Sequence, residues 1–138
     1  MVTKHSGSCL CGTVHFEIEG DFDSFYLCHC KHCQKDTGSD HGANLFSQSA
    51  KLTWLQGHEA VKTYQLPNSR HAKAFCSNCG SALPNSEKPF GFLVVPAGCL
   101  DSALHQTPNA HLYAGSRAPW SQHLETIPSF WTLPNAEE

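Results

Sequence analysis

The chain is 138 residues long, enough for one domain that buries roughly two-thirds of its unfolded surface, and it is read as a single domain over 1–138. Hydrophobic residues at 40% against charged residues at 15% exclude intrinsic disorder. Nine Lys and Arg against twelve Asp and Glu leave a net charge of −3, too little positive charge for the basic face of a polyanion binder, so no nucleic-acid partner is expected.

In chain order, Val14, Phe16 and Ile18 alternate with His15, Glu17 and Glu19, the period-2 pattern of a half-buried strand, and Gly20 and Asp21 end it. Further strands are expected over 25–28, 43–46, 52–55, 60–66, 72–75 and 90–95, separated by Gly, Pro, Asn and Ser. Short helical turns are expected over 31–37 and 121–126. Eight prolines, with Pro119, Pro128 and Pro134 near the end, exclude a long C-terminal helix. The expected fold is mainly β with irregular loops and at most short helices.

The N-terminal segment has no apolar stretch of the secretory type. The longest apolar run, 90–100, is broken by Pro96 and Gly98 and is about half the roughly 20 residues that span a bilayer. A soluble, cytoplasmic protein with no membrane partner is expected. In a reducing cytosol its eight cysteines read as metal ligands or catalytic thiols rather than as a disulfide framework.

Those cysteines fall into four groups. Cys9 and Cys11 form C-x-C before Gly12; Cys28, Cys30 and Cys33 form C-H-C-x-x-C; Cys76 and Cys79 form C-x-x-C before Gly80; Cys99 stands alone. A C-x-x-C turn lets two thiolates converge on one zinc at about 2.3 Å, and the glycines permit the left-handed backbone such turns often need. Seven clustered cysteines are one short of two four-cysteine sites. The simplest division is one closed site from two pairs and one open site from the triple, but spacing does not say which pairs join, since the two C-x-x-C units could equally make one ribbon.

Taken together, Gly7-Ser-Cys9-Leu-Cys11-Gly12, Cys28-His-Cys30-Lys-His-Cys33 with Thr37-Gly38-Ser39, and Phe75-Cys76-Ser-Asn-Cys79-Gly80-Ser81 resemble the glutathione-dependent formaldehyde-activating enzyme family, which includes the centromere protein V type of domain. The resemblance extends through Pro96-Ala97-Gly98-Cys99-Leu100-Asp101 and on to Trp120 and Ile127-Pro128-Ser129-Phe130. It implies a zinc-bearing fold of stacked antiparallel sheets and two zinc ions. One is structural, on Cys9, Cys11, Cys76 and Cys79. The other is catalytic and labile, on Cys28, Cys30 and Cys33. It also implies a carbon–sulfur lyase that forms or breaks the adduct of glutathione with formaldehyde, with a thiol and an aldehyde as its small-molecule partners. The stretch Gly38-Ser-Asp40-His41-Gly42 departs from the pattern, with a charged and an ionisable residue where many relatives have small or apolar ones.

Two other classes compete with this reading: a non-catalytic zinc module that binds a protein or thiol, and a thiol redox protein cycling Cys30 and Cys33. Cys99 reads as a buried core residue. His29 reads as a second-layer or surface group beside its neighbours' thiolates, and His41 as the best candidate near the open site, although a solvent-exposed loop histidine is the commoner outcome. His5, His58, His105, His111 and His123 read as surface residues, and Trp54, Trp120 and Trp131 as core or rim packing. Lys31, Lys35, Arg70, Lys73 and Arg117 are the cations available to the two carboxylates of glutathione.

Overall fold

The computed structural model describes residues 3–86 and 91–134. Its strands are β1 (Lys4–Ser8), β2 (His15–Glu19), β3 (Ser24–Cys28), β4 (Gly42–Ser47), β5 (Lys51–Gln56), β6 (Val61–Gln65), β7 (Ala72–Cys76), β8 (Ala82–Leu83), β9 (Leu93–Pro96) and β10 (Ala110–Leu112), with one helix, α1 (Lys31–Thr37), between β3 and β4. They form three sheets, ordered β1-β2-β5, β10-β3-β4-β9 and β6-β7-β8. The fold is mainly β, as expected. Every strand pairing is antiparallel except that of β3 with β10, which is parallel.

The alternation in β2 does what its period requires: Phe16 and Ile18 are fully buried while His15 faces solvent. Phe16 lies opposite Trp54 of β5, and the two rings meet edge to face at 5.9 Å. Leu45 and Val95 are paired across β4 and β9 and are both fully buried. Together with Val14, Leu83 and Leu93 these residues make one hydrophobic cluster. Truncating Phe16 to alanine would cost about 3–5 kcal/mol.

Several expectations are corrected. β1 reads Lys-His-Ser-Gly-Ser, with no apolar alternation, and exists because it pairs with β2. His5 is not a surface residue: it is buried on β1, with its ring 5.0 Å from that of Phe22. The turn expected over 121–126 is instead two single 3-10 turns, Pro119–Ser121 and Leu124–Thr126. Extended Gln122 and left-handed His123 (φ 58°) break it. Trp54 packs against the core, but Trp120 and Trp131 are 61% and 92% exposed. Phe90, the first residue of the strand expected over 90–95, lies outside the described residues; the strand seen is Leu93–Pro96.

Candidate metal centres

Cys9 and Cys11 follow β1, Cys76 ends β7, and Cys79 lies in the turn before β8. Their four sulfurs lie within 4.8 Å of one another, with Cys9 Sγ 3.6 Å from Cys11 Sγ and Cys11 Sγ 4.0 Å from Cys76 Sγ. Four sulfurs at 2.3 Å around a tetrahedral zinc would stand about 3.8 Å apart, so the donor set fits that ion. The backbone explains the convergence. The Gly12 N–H donates to Cys9 O and the Gly80 N–H to Cys76 O. Both glycines are left-handed, at φ 80° and 79°, a conformation that costs a Cβ-bearing residue energy.

The polar surroundings favour thiolate at Cys11 and Cys79. The Thr13 hydroxyl, 3.1 Å from Cys11 Sγ, and the Asn78 amide, which donates to it at 3.1 Å, lower its pKa to about 5. The Ser81 hydroxyl, 3.2 Å from Cys79 Sγ, brings that thiol down to about 7. The Val14 N–H donates to Cys9 Sγ at 3.2 Å.

Cys28 ends β3, Cys30 caps α1, and Cys33 lies in the helix's first turn. The C-x-x-C spacing here is an N-cap, in which Cys30 Sγ accepts the Cys33 N–H at 3.3 Å. The C-terminal end is closed by Gly38 at φ 65°, donating to Gln34 O. The three sulfurs lie within 4.8 Å of one another. Burial pushes the Cys28 and Cys33 thiols up. Burial also acts upward on Cys30, but the hydrogen bond from the Cys33 N–H and those with the neighbouring thiols outweigh it and hold Cys30 below its ordinary value.

These three cysteines line a cavity of about 430 Å³. His32, Asp36, Arg70, His71 and Lys73 line it too. Asp36, one turn after His32 on α1, receives His71 Nε2 at 2.7 Å and Lys73 Nζ at 2.7 Å, tying the helix to β7 and the residue before it. Of the five cations named from sequence, Arg70 and Lys73 reach this cavity, Lys31 and Lys35 do not, and Arg117 lines a different one.

That second cavity, about 470 Å³, holds His29, Asp40 and His41. His29 is buried and not at the surface, and His41, the candidate for the open site whose commoner outcome was an exposed loop histidine, is half-buried on this cavity and does not line that of the triple. Asp40 accepts from His41 Nδ1 at 2.8 Å. Burial acts upward on its carboxyl, but the hydrogen bond from His41 and the imidazoles beside it hold it below the usual carboxylate range. Cys99 packs against the core, and burial raises its thiol to about 12.

Sequence reasoning missed His32, Asp36 and His71. The first two carry a readable signal, the i, i+4 spacing on a short helix after the cysteines. His71 carries none, since its contact with Asp36 spans 35 residues.

A family model described as glutathione-dependent formaldehyde-activating enzyme matches residues 4–116. The chain belongs to this family. Its fold is similar to the crystal structure of a Rhodobacter sphaeroides protein, a structural-genomics target, with a TM-score of 0.55 at 20% identity over 75% of this chain and 97% of that one. Family membership supports a role in formaldehyde and glutathione chemistry, and the two cysteine clusters are compatible with zinc. No helix among the described residues is long and apolar enough to cross a membrane.

Proposed function

We propose that the protein, acting as one domain, is a carbon–sulfur lyase-type enzyme that forms and breaks the adduct of a thiol such as glutathione with an aldehyde such as formaldehyde. The observation that carries this reading is the contrast in surroundings. The triple of Cys28, Cys30 and Cys33 opens onto a cavity of about 430 Å³ with cations on its wall, whereas the cluster of four cysteines does not line it. A zinc ion held by the triple would keep an open coordination position and supply Lewis-acid chemistry there.

This chain's residues supply binding and proton movement. Arg70, which makes no ion pair among the described residues, offers a cationic partner for a carboxylate of glutathione, and Lys73, already paired with Asp36, a second that it would share with that carboxylate. As the bond between the thiol sulfur and the aldehyde carbon forms, the thiol proton must reach the carbonyl oxygen. We assign its relay to His71, the imidazole on the cavity wall that Asp36 orients at 2.7 Å. The four-cysteine cluster is the structural zinc site in this reading. Eight cysteines with no disulfide among them suit a reducing cytoplasm, where the reading locates the protein.

Exchange kinetics between formaldehyde and glutathione test the assignment. The wild type accelerates exchange, and Cys30→Ser abolishes the acceleration. Equal rates with and without protein would sink it. The exposed Trp120, Ile127, Phe130 and Trp131 favour a second reading, a zinc-binding interaction module. That reading predicts no acceleration, and an undiminished partner interaction when the triple is removed.

A further inference from the structure

His29 lies between two cysteines of the triple, yet its side chain faces the other cavity. There, with its side chain 1% exposed, it meets Asp40, whose side chain is 8% exposed. His29 Nδ1 stands 3.3 Å from Asp40 Oδ1, and His41 Nδ1 stands 2.8 Å from Asp40 Oδ2. One donor atom from each of the three residues falls within 4.8 Å of the other two. On the far edge of the His29 ring, Nε2 stands 2.8 Å from His111 Nδ1.

His41 Nδ1 donates a hydrogen bond to Asp40 at 2.8 Å, a proton that a bound metal ion would displace, whereas the His29 contact fits such a bond poorly. At 3.3 Å it lies beyond the usual range for N–H···O bonds, about 2.7–3.2 Å. The same length matches the edge of a tetrahedron of nitrogen and oxygen donors around zinc, about 3.3–3.4 Å for bonds near 2.0–2.1 Å. The His111 contact adds the element that metal-binding imidazoles usually have, a partner for the second ring nitrogen. A proton on His29 Nε2 shared with His111 Nδ1 leaves the Nδ1 lone pair free to face Asp40 and His41.

We propose that His29, Asp40 and His41 form a third metal site, one that takes a divalent transition ion such as zinc through two imidazole nitrogens and a carboxylate oxygen. With three protein ligands the site is incomplete, and its remaining positions open to the cavity that Arg117 and Glu125 also line. Having no sulfur, it differs in ligand softness from both cysteine clusters.

That difference gives the test. The purified full-length chain is titrated with cobalt(II). Binding at cysteines adds thiolate-to-metal charge-transfer absorption, while binding at nitrogen and oxygen adds only weak ligand-field bands. The expected result is an equivalent of cobalt taken up without charge-transfer intensity. It should be lost in Asp40→Asn and in His41→Ala, with the thiolate bands unchanged in both. The proposal is overturned if wild-type uptake produces thiolate bands alone, or if the sulfur-free equivalent survives in His41→Ala. Should Asp40→Asn fail to fold, His41→Ala decides the matter, because that side chain is 31% exposed and outside the core. The readout does not depend on aldehyde–thiol activity, so it stands or falls apart from the proposed function.

Discussion

The two cysteine clusters bring the same side chain together in opposite ways. The four-cysteine cluster draws on segments 65 residues apart, since Cys11 meets Cys76, and joins the end of β1 to the β7–β8 turn. The triple draws on six consecutive residues and joins nothing distant; it is set on a strand end and a helix cap beside a cavity. A cluster that closes a long loop contributes to folding. A cluster preformed by local backbone can lose its metal and keep its scaffold. If both clusters hold zinc as proposed, sequence separation among the cysteines, as much as their number, would distinguish a structural role from a chemical one.

The strongest way to break the comparison is Cys76→Ser. Structural zinc contributes on the order of 10 kcal/mol to folding in small finger peptides. A domain with its own core should lose less, yet enough to lower Tm on the order of 10–20 °C or to abolish soluble expression. Calorimetry with a zinc count checks this, and unchanged melting at unchanged zinc content would remove the structural assignment. Next in size, Cys30→Ser should eliminate glutathione–aldehyde exchange while Tm moves by only a few degrees and about one zinc is lost per chain. Unfolding on the scale of Cys76→Ser would erase the distinction between the clusters.

A chelator sharpens the contrast further. Three thiolates and one exchangeable position hold zinc less tightly than four thiolates, so metal should leave in two phases. Thiol titration should find Cys30, the thiol of the triple held below its ordinary value, reactive in the first phase, before the cysteines of the other cluster. Simultaneous release would contradict the assignment. The smallest effect expected is that of Arg70→Ala. Loss of one charge-assisted hydrogen bond, about 1.5–3 kcal/mol, should raise KM for glutathione roughly tenfold or more with little change in kcat. A change in kcat alone would move Arg70 out of the binding role.

Much of the fold was legible from residue patterns. The 2-residue period of β2 and the helix at 31–37 are local properties, and both stand where the sequence put them. β1 and β10 were not legible, because Lys-His-Ser-Gly-Ser and Ala-His-Leu become strands only through their partners. At the site, the cysteines announced themselves by spacing, whereas the cation need of a glutathione site left five choices open, and only the cavity lining separates Arg70 and Lys73 from the other three. The imidazole contacts were hidden for the same reason as the strands. His71 reaches Asp36 across 35 residues and His29 reaches His111 across 82, separations at which sequence pattern carries no signal.

The parallel pairing of β3 with β10 bears on the order of assembly during synthesis. Leu112 lies opposite Cys28 and its carbonyl accepts the His29 N–H at 2.9 Å, so one flank of the strand bearing the triple is supplied more than 80 residues after it. All four cysteines of the other cluster, and the Ser81 that supports them, have left the ribosome well before Leu112 does. The nascent chain can therefore bring the four-cysteine cluster together while the edge of β3 is still bare, and the cavity beside the triple is walled only when β10 arrives. Metal starvation during translation should accordingly stall the chain at the earlier step, with the reactive thiols exposed on an unfinished sheet.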